Sequence, residues 1–112
     1  LIPVNRGILA TCYMTLANSR TAQALHDLYR QFYADEPFVR VLPDGAVANI
    51  ASVRYSNLCD VSIHFDAHTN TVITVSAIDN MVKGAAGQAI QNMNIICGLP
   101  ETTGLLHVPP AF

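Results

Sequence analysis

The run from Leu58 to Ile78 constrains the fold more than any other part of the chain. Val61, Ile63 and Phe65 alternate with Asp60, Ser62, His64 and Asp66. Successive residues of a β-strand point to opposite faces, so this spacing predicts a strand with one apolar and one polar face. His68, Thr69 and Asn70 are turn residues, and Thr71 to Ile78 is rich in β-branched side chains. Two such runs separated by so short a turn predict a β-hairpin.

The elements on either side supply its cover. Ile8 to Leu16 interleaves apolar residues with Thr11, Tyr13 and Thr15 and reads as a strand, which Pro3 places at an edge or a bend. Ser19 or Thr21 caps the helix that follows. On that helix Ala22, Leu25, Leu28, Tyr29, Phe32 and Tyr33 recur at helical spacing, with Gln23, Asp27, Arg30 and Gln31 on the other side, and Pro37 stops it. Phe38 to Leu42 reads as a short strand, followed by a turn at Pro43, Asp44 and Gly45. A second helix gathers Ala86, Ala89, Ile90, Met93 and Cys97 on one apolar stripe, and Gly98 ends it; the chain is expected to self-associate through its sheet, that stripe or both. The tail from Leu99 to Phe112, with Pro100, Pro109 and Pro110, is expected to lie against other protein or to be loose. The order predicts an α+β fold in which helices cover one face of a largely antiparallel sheet. At 112 residues there is room for one domain, residues 1–112.

Charge narrows the partners. Charged residues are 12% of the chain, against about 25% in an average soluble protein, so part of the surface is expected to face another domain or subunit. The six basic residues, Arg6, Arg20, Arg30, Arg40, Arg54 and Lys83, are scattered, whereas nucleic-acid binding needs a cluster. No apolar run reaches the ~20 residues of a membrane span. Leu1 stands where an initiator Met would be, and the chain is expected to be truncated there. Cys12, Cys59 and Cys97 are odd in number and widely spaced, as expected of reduced cytosolic thiols.

Few residues point to chemistry. None of the three thiols has a neighbouring cation or helix start to activate it, and each is expected to serve packing. His64 and His68 diverge on a strand and turn, so no metal site is expected; His26 falls on the polar side of the first helix, where solvent is expected, and His107 in the tail. The segment Asp79 to Gly87 is different. It joins a strand end to a helix start, holds the only Lys, and is rich in small residues that let a ligand approach the backbone. Read instead as a plain turn, it would have Asn80 as the helix cap and glycines for close packing.

The runs "PVNRGILATCY", "YADEPFVRVLPDG", "SNLCDVSIH", "SAIDNMVKGAAGQAIQNMN" and "GLPETTGL" closely resemble the C-terminal part of N-acetyl-gamma-glutamyl-phosphate reductases, from Leu1 to Leu105. The resemblance implies a cytoplasmic NADPH-dependent oxidoreductase of arginine biosynthesis. It would reduce an acyl phosphate to N-acetylglutamate semialdehyde through a Cys thioester, releasing phosphate. It implies a Rossmann cofactor domain, absent here, and a catalytic and dimerisation domain similar to that of glyceraldehyde-3-phosphate dehydrogenase, giving a homo-oligomer. The nucleophile of that family lies in a "PGCYPT"-like motif and its His in an "HRH"-like motif, and neither occurs in this sequence. No catalytic residue is therefore expected here, and the chain alone is expected to be inactive. Arg6 is the expected anchor for a substrate carboxylate or phosphate; Asn80, Lys83, Gly84 and Gly87 are the expected NADP contacts. Alternatives are a fragment of a related acyl-phosphate reductase or semialdehyde dehydrogenase, or a free-standing assembly module that never catalyses.

Overall fold

The structure, a computed structural model, describes residues 3–18 and 20–109. In chain order the elements are β1 (Ile8–Thr15), α1 (Ala22–Phe32), β2 (Val39–Val41), a 3-10 turn (Ile50–Ser52), β3 (Cys59–Asp66), β4 (Thr71–Ile78), a π-helical turn (Val82–Ala86) and α2 (Gly87–Ile96). Four strands form one sheet in the order β1-β4-β3-β2. The β3–β4 hairpin is its centre, with Asp66 opposite Thr71 at the closed end and Cys59 opposite Ile78 at the open end. At the tip Asp66 accepts from the His68 N–H and the Thr69 hydroxyl, and Asn70 takes a left-handed φ of 54°.

The fold is α+β, and the sheet is mixed. β1 and β3 flank β4 antiparallel, but β2 lies parallel to β3. Parallel neighbours need a crossover of a dozen or more residues, and residues 42–58 provide it. That crossover explains a second departure from the one-faced alternation. On one face Leu25 of α1 packs on Val61, Ile63 and Val72; on the other, Ala48 and Val53 of the crossover pack on Ala77. Asp60 and Ser62, expected to face solvent, are buried. Ser62 accepts from the Ala48 N–H, and Arg40 holds Asp60 with two bonds of 2.6 and 2.9 Å. Their polar atoms are paired inside, which makes their burial tolerable.

The helices correct the sequence reading further. Only α1 covers the sheet. Thr21 caps it, accepting from the Ala24 N–H at 3.1 Å. His26, expected in solvent, is buried with Nε2 donating to the Leu42 carbonyl at 2.7 Å, because the chain leaving β2 lies against that side of α1. On α2 the buried residues are Gly87, Gln91 and Asn94, whereas Ile90, Met93, Ile95 and Ile96 are exposed, Ile96 by 83%. The apolar stripe thus faces outward, because the segments that α2 meets offer polar groups. Gln91 accepts from Asn57 and donates to Glu101, and Asn94 donates to the carbonyls of Glu101 and Thr103. Those contacts also fix the first part of the tail, where Leu105 is buried. Gly98, at φ 67°, ends α2 with paired bonds from Leu99 N–H to Asn94 and from Gly98 N–H to Ile95.

Every residue of β1 is exposed. Cys12 on β1 and Cys97 after α2 are exposed as well, and Cys59 is half-buried; two thiols expected in packing thus lie on apolar outer surface. The expectations on Ser19 and on the tail beyond Pro109 fall outside the described residues.

If α2 is oriented this way, Gln91→Leu and Asn94→Leu should each cost about 1–3 kcal/mol by stranding buried partners. Ile90→Gln and Ile96→Gln should stay within about 0.5 kcal/mol. Urea denaturation of the four variants decides it, and the opposite ranking would mean the apolar stripe faces inward.

Candidate functional site

β4 ends on Ile78, and the next side chain gathers three segments. Asp79 is fully buried. Its Oδ2 accepts from Arg6 Nε and from the Tyr55 N–H, both at 2.7 Å, and its Oδ1 accepts from the N–H groups of Met81 at 2.8 Å and Val82 at 3.0 Å. Burial alone would raise this carboxyl; the Arg6 bond and the three backbone donors outweigh it and hold it below the usual carboxylate range. Asp79, and not Asn80, therefore closes the start of the π-helical turn.

Arg6 is held from two sides. Besides its bond to Asp79, its guanidinium carbon lies 3.9 Å from the Tyr55 ring centroid, a cation–π stack. Tyr55 itself has φ 61°, uncommon for a bulky residue and sustained only where surroundings over-determine it. The Asp79 bond and the Arg6 stack do so here.

Asn80 is oriented by the neighbouring strand entry, its Oδ1 accepting from the Gly7 N–H at 2.7 Å. Gly7 has φ 119°, and a Cβ there would stand 2.9 Å from Ile50 Cβ, so only glycine fits. Gly87 is a second close approach: a Cβ there would collide with Asn57 Oδ1. At Gly84 a Cβ would find ordinary contacts only. Lys83 turns to the base of α2, with Nζ donating to Gln91 Oε1 at 2.7 Å and 5.5 Å from the Phe38 ring centroid. Burial lowers its pKa, against the pull of Cys59, Glu101 and Glu36. Burial likewise raises the Cys59 thiol, which Lys83 partly offsets.

Two clefts meet at Arg6. One, of about 610 Å³, is lined by Pro3, Val4, Asn5, Arg6, Ile50 and Arg54. The other, of about 320 Å³, lies among Arg6, Tyr55, Val82, Gly87, Ile90 and His107. The structure thus brings Arg6 and Asn80 beside Asp79, whose carbonyl accepts from the Gly84 N–H at 2.9 Å; Gly87 lines the second cleft with Arg6, while Lys83 and Gly84 line neither. Sequence reasoning missed Asp79 as the organiser and Arg54 as a cleft residue. The signal for Arg54 was available: it is the lone charge between Asp44 and Asp60. Among the described residues no group of three His, Cys, Asp or Glu side chains is placed to hold a metal ion.

Asp79→Asn should cost about 1.5–3 kcal/mol, the range for hydrogen bonds to a charged group. Because folding depresses the Asp79 pKa, its stabilisation is present above the unfolded carboxyl value of about 4 and lost as pH falls through the folded value. Urea midpoints measured from pH 7 downward should fall more steeply below about pH 4 in the wild type than in Asp79→Asn. Gly7→Ala should cost about 1–3 kcal/mol for its backbone conformation alone; an unchanged melting temperature would contradict the close approach to Ile50.

Residues 1–80 match the family model described as semialdehyde dehydrogenase, dimerisation domain. Over the whole chain, curated relatives named N-acetyl-gamma-glutamyl-phosphate reductase are similar to it: 56% identical in Symbiobacterium thermophilum and 57% in Brachyspira hyodysenteriae, in each case over 32% of the relative. The relative of that name in Clostridium kluyveri is 53% identical, with 33% of its length matched. The chain therefore spans about a third of the length of the curated relatives it matches, and that third is the C-terminal one. No helix among the described residues is long and apolar enough to cross a membrane. By these matches the chain belongs to the semialdehyde dehydrogenase dimerisation-domain family and corresponds to the C-terminal third of its N-acetyl-gamma-glutamyl-phosphate reductase members.

Proposed function

We propose that this chain is the C-terminal part of a cytoplasmic, NADPH-dependent reductase of arginine biosynthesis that converts N-acetyl-gamma-glutamyl phosphate to N-acetylglutamate semialdehyde and phosphate. The observation that carries this reading is identity of 53–57% along the chain to the C-terminal third of relatives bearing that name. In it, residues 1–112 form one domain, part of a catalytic and dimerisation domain similar to that of glyceraldehyde-3-phosphate dehydrogenase. The partners are the missing N-terminal Rossmann and catalytic part, which holds the nucleophilic Cys and the His, and a second copy of the chain. The outward stripe on α2 and the exposed β1 support such contacts.

The role of this third is then to bind and orient. NADPH, when bound, supplies the hydride that reduces the thioester left after phosphate departs. A π-helical turn is frequent at functional sites, and the one at Val82–Ala86 follows directly on Asn80. With Oδ1 tied to Gly7, the Asn80 side chain presents its amide N–H groups in a fixed direction, a fitting donor for a carboxamide oxygen. Gly84 leaves the backbone accessible, Gly87 lets the helix start close, and Lys83 adds positive charge beneath the turn. Arg6, with Nε on Asp79, keeps its other guanidinium donors for a substrate carboxylate or phosphate. The family model also favours one other reading, a related semialdehyde dehydrogenase; turnover of N-acetylglutamyl against aspartyl phosphate by the full-length protein separates the two.

In the full-length enzyme Asn80→Ala should weaken NADPH binding or slow hydride transfer by about ten- to hundredfold, and Lys83→Ala should weaken NADPH or acyl phosphate use, both under conditions where a melting curve shows the variant still folded after losing its bond to Gly7 or Gln91. The 112-residue chain alone should not oxidise NADPH with any acyl phosphate. Wild-type constants in both variants, or turnover by the isolated chain that Cys12→Ser abolishes, would overturn the reading.

A further inference from the structure

We propose that Arg54 and Arg6 form a two-guanidinium subsite, in the cleft beside the entry to β1, for an oxyanion group of the substrate, a carboxylate or a phosphate. The proposal rests on the reductase reading for the substrate's identity, and on this chain's own geometry for the site. The cleft, about 610 Å³, is of ligand-binding size and has no acidic residue in its lining. Both arginines line it, but their charges are balanced differently. Arg6 is paired with Asp79 at 2.7 Å, so the pair is neutral overall. Arg54 Nε is buried and has no hydrogen-bond partner among the described residues.

A guanidinium remains charged throughout the working pH range. Burying one of its donors unpaired costs free energy, and each such group in a native structure calls for an explanation. A bound oxyanion supplies the negative charge that Arg54 lacks in the ion pairs of the described residues, and paired N–H donors suit its planar or tetrahedral oxygens. The backbone around Arg54 is held in advance. Val53 on one side is fully buried; Tyr55 on the other has a left-handed φ of 61° and donates its N–H to Asp79. The Tyr55 ring carries the Arg6 guanidinium, so one short segment positions both cations. Preorganisation of this kind lowers the ordering cost of binding.

The test uses the full-length reductase containing this chain, with inorganic phosphate and N-acetylglutamate as separate competitive inhibitors against the acyl phosphate. Arg54→Gln should raise the KM for acyl phosphate and the inhibition constant of at least one probe by about tenfold or more, while the KM for NADPH stays within about twofold. A rise for inorganic phosphate alone assigns the site to the phosphoryl group; a rise for N-acetylglutamate alone assigns it to a carboxylate; a rise for both supports an oxyanion site open to either. Inhibition constants unchanged for both probes overturn the proposal. If Arg54→Gln does not fold, Arg54→Lys carries the measurement, since loss of the paired donors should still raise one constant by about threefold, and unchanged constants again overturn it. If the wild-type enzyme does not turn over N-acetylglutamyl phosphate, the reductase reading fails on its own. Calorimetric titration of that protein with inorganic phosphate and acetate then decides the site: binding that Arg54→Gln abolishes supports it, and no binding by the wild type overturns it.

Discussion

The Asp79 carboxylate is the interaction on which the site depends. Its four acceptances tie together the entry to β1 through Arg6, the crossover through Tyr55, and the π-helical turn through Met81 and Val82. These segments lie far apart in sequence and share no hydrophobic cluster. A buried charge with fewer partners would be costly. With four it becomes a fixed negative centre around which Arg6, Asn80 and the two clefts take their positions.

The two hydrophobic clusters set the frame for that centre. Leu25 against Val61, Ile63 and Val72 anchors α1 to one face, and Ala48 and Val53 against Ala77 anchor the crossover to the other. The second anchor is the one that bears on chemistry. It pins Val53, and with it the Arg54–Tyr55 step, above the end of β4 where Asp79 emerges. A loop held only by its own turns would not deliver a strained Tyr55 to a carboxylate so regularly placed. Fixing functional side chains on segments locked by packing is the general route to a precise site.

How much of this was legible in the residues varied with the physics involved. The β3–β4 hairpin was, because the two-residue period of Val61, Ile63 and Phe65 is local and the turn residues bracket it. So were the Thr21 cap and the Gly98 stop, which act within one turn of the chain. The parallel seat of β2 was not, since pairing across a crossover leaves no local mark. Nor was the orientation of α2. Its apolar stripe is real, but burial depends on what the neighbours offer, and Asn57, Glu101 and the Thr103 carbonyl offer hydrogen bonds. His26 and Asp60 misled for the same reason, each being buried with a partner distant in sequence. At the site, composition singled out the Asp79–Gly87 segment, yet it could not tell Asp79 from Asn80 as the residue closing the turn. That choice is made by Arg6 and Tyr55, 73 and 24 residues away.

β1 carries one more implication. Among the described residues it lies at the edge of the sheet and pairs only with β4, while all eight of its own residues are exposed. A strand with one free row of backbone donors and acceptors and apolar side chains on both sides is a template for further strands. The four-stranded sheet is thus open to extension at this edge, and whatever chain supplies the next strand in register will also lie against Ile8 and Leu9, one step from Gly7 and Arg6. An added strand would satisfy the free backbone row and cover one side of an otherwise aggregation-prone edge in the same step.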